Sequence, residues 1–485
     1  MNVTRTGIVL KPNASRVLFR PFSPAGEERP LRILSRVLAL QEAEVVAMLN
    51  QVLSEFKTRH QRPLDYFLRR YEFVRGLLPT NQPLSEERKL LIGAYFTHEY
   101  SLEAAALFNP SMVPHPDQTG LAADTLRFIV SLRATGEGHI SSITFRTGTI
   151  DGQGKVSVDT PSRYVTTPDH IPPISYHKEI FWHQLQELGV ADSVAETIWK
   201  ALPDRFTVAE MNQELQYLRR YAHHRNTEFD RTASRLLNIA MSNYEVVYSP
   251  DQPLTERVIF PTAPNESNGI EDARFVRFVD DDGTVTYMAT YTAYDGRVTI
   301  PQLLETSDFA RFSICTLNGP EVQNKGMALF PRKIHGQYAM ISRQDGENLY
   351  LMYSDDLHFW HDKMPLLKPT YSWEFLQIGN CGSPIETEAG WLVISHGVGP
   401  MRKYSIGAFL LDLEDPSRVI GRLEHPLLSP DEVEREGYVP NVVYSCGSLV
   451  HAGQLILPYA MSDTASSFAT VPLADLLAEM KPISR

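Results

Sequence analysis

Cysteine is scarce in this sequence: Cys315, Cys381 and Cys446 are the only three among 485 residues, and they lie far apart. They form neither a disulfide framework nor a CxxC metal clip, so a secreted scaffold or zinc finger is excluded and a reducing cytoplasm is expected. No apolar run approaches the ~20 residues needed to cross a bilayer. The opening Met1-Asn2-Val3-Thr4-Arg5-Thr6 lacks the apolar core of a signal peptide. No membrane association is therefore expected. Basic residues are outnumbered, 46 Lys and Arg against 58 Asp and Glu, for a formal net charge of −12. Without clustered cations a broad nucleic-acid surface is not expected either. Also missing are the GxSxG elbow, the P-loop, HExxH and the dinucleotide-binding GxGxxG.

What is present is a soluble, globular composition, with 43% hydrophobic and 21% charged residues. The length exceeds one ordinary domain unless the fold is a barrel or propeller. Val45, Met48, Leu49, Val52, Leu53 and Phe56 recur at i, i+3, i+4, i+7, i+8 and i+11, the apolar stripe of one long helix. Pro63 separates it from a second helix beginning at Leu64. A third starts near Ser85, with Glu86 and Glu87 in its first turn, where carboxylates complement the helix dipole. From about Leu102 the period changes. Leu126–Arg133 and Ile140–Phe145, joined through Gly136 and Gly138, predict a hairpin. A second helical block spans about Tyr176 to Ser242 and ends in a helix opened by the capping-box spacing Thr207-Val208-Ala209-Glu210. The stripe Leu215, Leu218 and Tyr221 is read as core, and the pair His223-His224 as a solvated face.

From Tyr244 to about Ala469 short strands alternate with turns: 273–278 with 287–291, 338–342 with 349–353, 391–395 with 406–411, and 447–450 with 455–459. Such a succession implies a sandwich, barrel or propeller, and pattern alone does not choose among them. A helix over 474–480 closes the chain. One segment stands out chemically, Asn268-Gly269-Ile270-Glu271-Asp272-Ala273-Arg274. Glycine allows a sharp backbone turn, and two carboxylates with an arginine follow at a strand entrance. A neighbouring carboxylate raises a carboxyl pKa, as a general acid requires, and an arginine lowers it. The spacing suits a proton donor and a structural Asp–Arg pair equally well. Tyr291-Thr292-Ala293-Tyr294-Asp295-Gly296 ends a strand in groups that stack on and accept from sugars. Lys325, Arg343, His396, Arg402 and Lys403 fall near strand ends and as a set suit an anion.

At these residues the sequence resembles glycoside hydrolase family 130, the β-mannoside phosphorylases and β-mannosidases on a five-bladed β-propeller. Gly269 to Arg274 resembles that family's GxEDPR, with Ala273 where proline is usual. Phe108-Asn109-Pro110, Leu132-Arg133-Ala134, Tyr291 to Gly296, Leu329 to Ile334, Gly390-Trp391-Leu392, His396-Gly397-Val398, Leu410 to Pro416, Pro440 to Tyr444 and Ser462-Asp463-Thr464 follow in order. The resemblance covers roughly 102 to 471, interrupted by the helical block. It implies a mainly β fold: residues 1–98 a mainly helical region, 99–177 the first blade, 178–242 a helical insertion, and 243–485 the remaining blades and a C-terminal helix.

The resemblance further implies a site on the propeller axis with Asp272 as acid, acting directly or through a hydroxyl of the bound mannose. Asn109, Arg133, Glu271, Arg274, Tyr294, Asp295 and Asp463 would hold the sugar. Lys325, Arg343, His396 and Tyr404 would face phosphate, and Arg402 joins them from its charge and its nearness in sequence. The expected reaction is inverting phosphorolysis of β-mannosides, a glycosyl transfer to inorganic phosphate as co-substrate, with no metal or organic cofactor. A small oligosaccharide and phosphate would be the partners. The helical regions would shape the leaving-group end or an oligomer contact, and a homo-oligomer is left open, as are linkage and acceptor sugar. A hydrolase would need a second carboxylate ~6.5–9.5 Å from the acid to activate water. Glu386, in Pro384-Ile385-Glu386-Thr387, is the candidate. A non-catalytic sugar-binding propeller is the third reading.

Overall fold

The computed structural model describes residues 2–482 apart from 27, 169–170, 172–173 and 222–226. The pair His223-His224 lies outside the described residues. Antiparallel pairing of alternating β-branched and aromatic segments produces five main sheets, each a meander. Sheet I contains Ala106–Pro114, Leu126–Thr135 and Ser141–Ile150. Sheet II contains Ile270–Val279, Val285–Tyr294, Thr299–Thr306 and Arg311–Thr316, with Tyr244–Val247 at its outer edge. Sheet III runs through Ala328–Leu329, Tyr338–Ser342, Leu349–Ser354 and Met364–Leu367. Sheet IV is built on Gln377–Asn380, Gly390–Val398, Tyr404–Leu411 and Val419–Arg422. Sheet V holds Val443–Tyr444, Gln454–Met461 and Ala465–Pro472.

The sheets meet in a closed ring. The strand Ala106–Pro114 of sheet I touches Ile270–Val279 of sheet II and Gln454–Met461 of sheet V. Sheet II meets sheet III at Ala328–Leu329, sheet III meets sheet IV at Gln377–Asn380, and sheet IV meets sheet V at Val443–Tyr444. In each case the first strand of one meander makes the contact, and the first strands of sheets I and II also touch each other. Aromatic side chains fill the wedges: Phe145 of sheet I stands edge-on to Phe275 of sheet II, centroids 6.1 Å apart.

The helices expected from the periodicity are present as Glu42–Phe56, Pro63–Val74 and Glu86–Tyr95. Pro63 occupies the first turn, where its missing N–H costs nothing, and Ser85 caps the third helix by accepting from the Arg88 N–H at 3.3 Å. Thr207 and Glu210 form the reciprocal capping box, with the Glu210 N–H donating to Thr207 Oγ1 at 3.2 Å. The helix they open, Val208–Tyr221, is not the last of its block, because Thr227–Met241 follows. This block keeps its own core of Phe181, Leu185, Phe206, Met211 and Leu215, and Leu215 and Leu218 are buried as the stripe implied.

Two strands near the N-terminus were not legible in the hydropathy. Val17–Pro21 pairs with Thr97–Ser101, and Thr4–Leu10 forms the outer strand of sheet V beside Ala465–Pro472. Thr4–Leu10 alternates half-buried with exposed positions, so its apolar signal is weak. Among the described residues no helix is long and apolar enough to cross a membrane.

Candidate active site

Three polar residues of the chain's convergent strand ends share an unusual backbone. Asn109, Asp272 and Asp463 all have positive φ, at 50°, 54° and 53°. The first two sit in matching β-bulges: strand register shifts between Phe108 and Ser111 in sheet I, and between Glu271 and Arg274 in sheet II. A bulge bends its strand and re-aims a side chain that regular alternation would send elsewhere. Asp463 reaches the same place from the turn between the last two strands of sheet V. Gly269 allows the approach to Asp272, since its φ is 125° and a Cβ there would lie 2.5 Å from Ser141 Oγ.

The three residues line one polar cavity of about 140 Å³ with Arg133, Lys325, Arg343, Gln377, His396, Arg402, Tyr404, Val439, Val442 and Tyr444. Every one of the five sheets, or a loop attached to it, contributes. Asn109 donates to Asp272 Oδ1 at 2.5 Å, and Arg133 Nη1 stands 3.6 Å from the same oxygen. Arg343 Nη1 lies 3.3 Å from His396 Nε2, and the Gln377 amide oxygen faces Arg343. The His396 ring stacks with Tyr404, centroids 5.8 Å apart. Asn109 Oδ1 and the Nε atoms of Arg133 and Arg343 are buried without a hydrogen-bond partner. Unmade hydrogen bonds at buried groups are costly, and a bound polar ligand would repair that.

The electrostatics are lopsided. Four cations (Arg133, Lys325, Arg343 and Arg402) and two carboxylates line the cavity of a chain whose net charge is −12. Burial pushes the Asp272 carboxyl up, but Arg133, Arg274 and Lys325 outweigh it, and with the Asn109 hydrogen bond they hold it below its ordinary range. Asp463 goes the other way, raised to about 6 by burial and then by the charge of Asp272. Of the two carboxyls, Asp463 is therefore the one that takes up a proton first as pH falls toward 6. Burial and the charges of Arg343 and Arg274 push His396 far down, so it is a neutral imidazole offering hydrogen bonds and no charge.

Several residues named from the sequence stand elsewhere. Arg274 is buried behind the cavity, donating to the Asp272 carbonyl at 3.1 Å, to Asn380 Oδ1 at 3.2 Å and to the Tyr444 hydroxyl at 2.6 Å. It braces the bulge and does not line the cavity. Glu271 pairs with Arg133 at 2.8 Å and Lys325 at 3.7 Å, restraining two of the lining cations. Asp295 accepts from the amides of Arg297 and Val298 at 2.8 and 2.7 Å and lines a different cavity, against Leu188 and Arg235. Tyr294 belongs to the same strand end and is also absent from the lining. Glu386 is the exposed residue of the short strand Ile385–Thr387, held by Arg332 at 2.8 and 2.9 Å, and does not belong to the lining set. The second carboxylate of the cavity is Asp463. Gln377 and Tyr444 were missed. Tyr444 belongs to a recognisable segment, Pro440 to Tyr444, but Gln377 carries no local signal.

A model of glycoside hydrolase family 130, described as beta-1,4-mannooligosaccharide phosphorylase, matches residues 207–481. The chain belongs to this family. Among family 130 relatives, the 1,2-beta-oligomannan phosphorylase of Thermoanaerobacter sp. (strain X514) is 37% identical over 231 residues, 46% of this chain and 75% of that protein. The beta-1,4-mannooligosaccharide phosphorylase of Ruminococcus albus is 32% identical over 243 residues, 47% of this chain and 71% of its own length. The solved beta-1,2-mannobiose phosphorylase of Listeria innocua superposes with a TM-score of 0.46 at 20% identity, covering 78% of this chain and 92% of that one. The three long strands of sheet I fall outside the family 130 match, yet they supply Asn109 and Arg133 to the cavity.

The raised Asp463 carboxyl has a consequence for stability. A carboxyl whose folded pKa exceeds its unfolded value of 3.8 stabilises the fold at low pH, and that contribution disappears as pH rises through about 6. The loss amounts to about 3 kcal/mol. Asp463→Asn is therefore expected to gain stability over the wild type on going from pH 4 to pH 8, read as the difference in urea midpoint. A difference that stays flat with pH would remove Asp463 from this role.

Proposed function

We propose that the chain is an inverting β-mannoside phosphorylase on a five-bladed β-propeller. Phosphate attacks the anomeric carbon of the non-reducing mannosyl unit from the face opposite the aglycone. The C1–O bond to the leaving sugar breaks, a C1–O–P bond forms, and the departing oxygen takes the proton of Asp272, directly or through a mannose hydroxyl. The products are α-mannose 1-phosphate and a sugar one unit shorter. Asn109, Arg133 and Asp463 hold the mannosyl unit. Lys325, Arg343, Arg402, Tyr404 and neutral His396 receive phosphate, the guanidinium groups offering forked donors.

One observation carries this reading: a single cavity fed by all five sheets holds a bulge-presented aspartate facing a cluster of cations. The ring of sheets closed by an N-terminal strand supports the propeller, because closure leaves no long edge exposed. Phosphate also explains how Asp272 comes to hold a proton. Its two negative charges offset the cations that depress the carboxyl, raising its proton affinity when the nucleophile arrives. The relatives' names include both 1,2- and 1,4-linked mannosides, so membership of the family does not fix the linkage.

Incubation with β-1,2- and β-1,4-mannobiose, with and without phosphate, tests the proposal. Mannose 1-phosphate formed only with phosphate is expected. Free mannose in both tubes would identify a hydrolase, with Asp463 as the second carboxylate, and binding without turnover would identify a sugar-binding module.

A further inference from the structure

Sheet II presents a group of donors far removed in role from the cavity. Its strands Thr299–Thr306 and Arg311–Thr316 pair with Leu303 opposite Cys315 and Glu305 opposite Ser313. Glu305 and Cys315 are thus diagonal neighbours on one face. Sheet III brings His358 to them on the loop between its last two strands. That loop is held by the backbone of Asn318, whose N–H donates to the His358 carbonyl at 2.8 Å and whose carbonyl accepts from the Trp360 N–H at 2.9 Å. Trp360 is fully buried beneath it. The His358 N–H in turn donates to Asp356 Oδ1 at 2.8 Å.

We propose that Glu305, Cys315 and His358 bind a zinc ion, or a divalent ion of similar softness, which clips sheet II to sheet III. One oxygen, one sulfur and one nitrogen from the three side chains all lie within 4.8 Å of one another. Glu305 Oε1 is 3.4 Å from His358 Nε2, close to the edge of a tetrahedron with metal–ligand bonds of about 2.0–2.1 Å. The other ring nitrogen, Nδ1, faces Asp356 Oδ1 at 3.6 Å. At that distance the carboxylate stands beside the distal nitrogen without bonding it, and a small approach would let it orient a metal-bound histidine and fix its tautomer. A thiolate, an imidazole and a carboxylate together suit zinc, whereas calcium and magnesium take oxygen ligands. His358 is 44% exposed and Glu305 26%, leaving the fourth position to water. Cys315 also differs from its two counterparts: Cys381 and Cys446 are buried, and burial pushes the Cys381 thiol up to about 12.

The full-length protein, stripped by a chelator and reloaded with zinc, should retain one equivalent after desalting. Cys315→Ser and His358→Ala should each weaken zinc binding at least ~100-fold, and Asp356→Asn by ~10-fold. All three should leave turnover of mannosides unchanged, since none of these residues lines the catalytic cavity. Zinc should raise Tm in the wild type and not in Cys315→Ser. Cobalt loading of the wild type gives a readout independent of any variant: a thiolate-to-cobalt charge-transfer band and intense tetrahedral d–d bands are expected. Retained zinc that is indifferent to Cys315→Ser and His358→Ala, or cobalt without a thiolate band, would overturn the proposal.

Discussion

Asp272→Asn is expected to lower kcat for mannobiose phosphorolysis by roughly 10²–10⁴-fold, the range for losing a positioned proton donor, while KM for the mannoside moves less than about 3-fold. The amide keeps the acceptor oxygen that receives the Asn109 hydrogen bond, so the bulge and the neighbouring contacts persist. It has no proton to give the leaving oxygen. A leaving group that departs without protonation separates this role from a merely structural one. With 2,4-dinitrophenyl β-mannoside the deficit should shrink to less than about 10-fold, because general acid assistance is not needed when the leaving group is already a weak base. An equal deficit on both substrates would mean that Asp272 organises the cavity and does not donate. The substitution also removes the charge that helps raise Asp463, whose carboxyl should fall from about 6 toward the ordinary range. The pH dependence of stability contributed by Asp463 would weaken with it.

Arg343→Ala is expected to raise KM for phosphate by roughly 10–150-fold, corresponding to the 1.5–3 kcal/mol of a hydrogen bond to a charged group. KM for the mannoside should change no more than about 3-fold. Arg343 is buried, with Nη1 beside His396 and an unpartnered Nε, so its donors are held in place before phosphate arrives. Arg343→Lys should recover part of the loss, because an ammonium restores charge and lacks the planar fork. Arg343→Ala, unlike Arg343→Lys, also removes one of the two charges that act with burial to keep His396 neutral. A parallel rise in both KM values would assign Arg343 to the architecture of the cavity.

Both results depend on backbone features that no residue pattern announces. The segment Gly269 to Arg274 drew attention because glycine, paired carboxylates and arginine are adjacent, and its strand is where alternation put it. That Asp272 faces inward while Arg274 lies behind it follows from a bulge formed against Val285–Tyr294, a pairing between separate segments. Asp295 looked as eligible as Asp463 on paper. One caps a turn and the other enters the cavity, because the first ends a second strand of its sheet and the second lies on a left-handed turn beside the converging strands. Glu386 is paired with Arg332, 54 residues earlier, and is absent from the cavity lining.

The amino-acid order alone therefore determined the local elements: helices capped at Ser85 and Thr207, hairpins set by period-two alternation, and the chemical types gathered near strand ends. These depend on interactions within a few residues, which hydrophobic spacing and capping chemistry record directly. Tertiary structure decided which of those groups share a cavity, which brace it from behind, that Thr4–Leu10 completes the final sheet, and that Glu305, Cys315 and His358 meet. Such encounters are fixed by packing five twisted sheets into a closed ring, where contacts join residues hundreds of positions apart and leave no periodic trace along the chain.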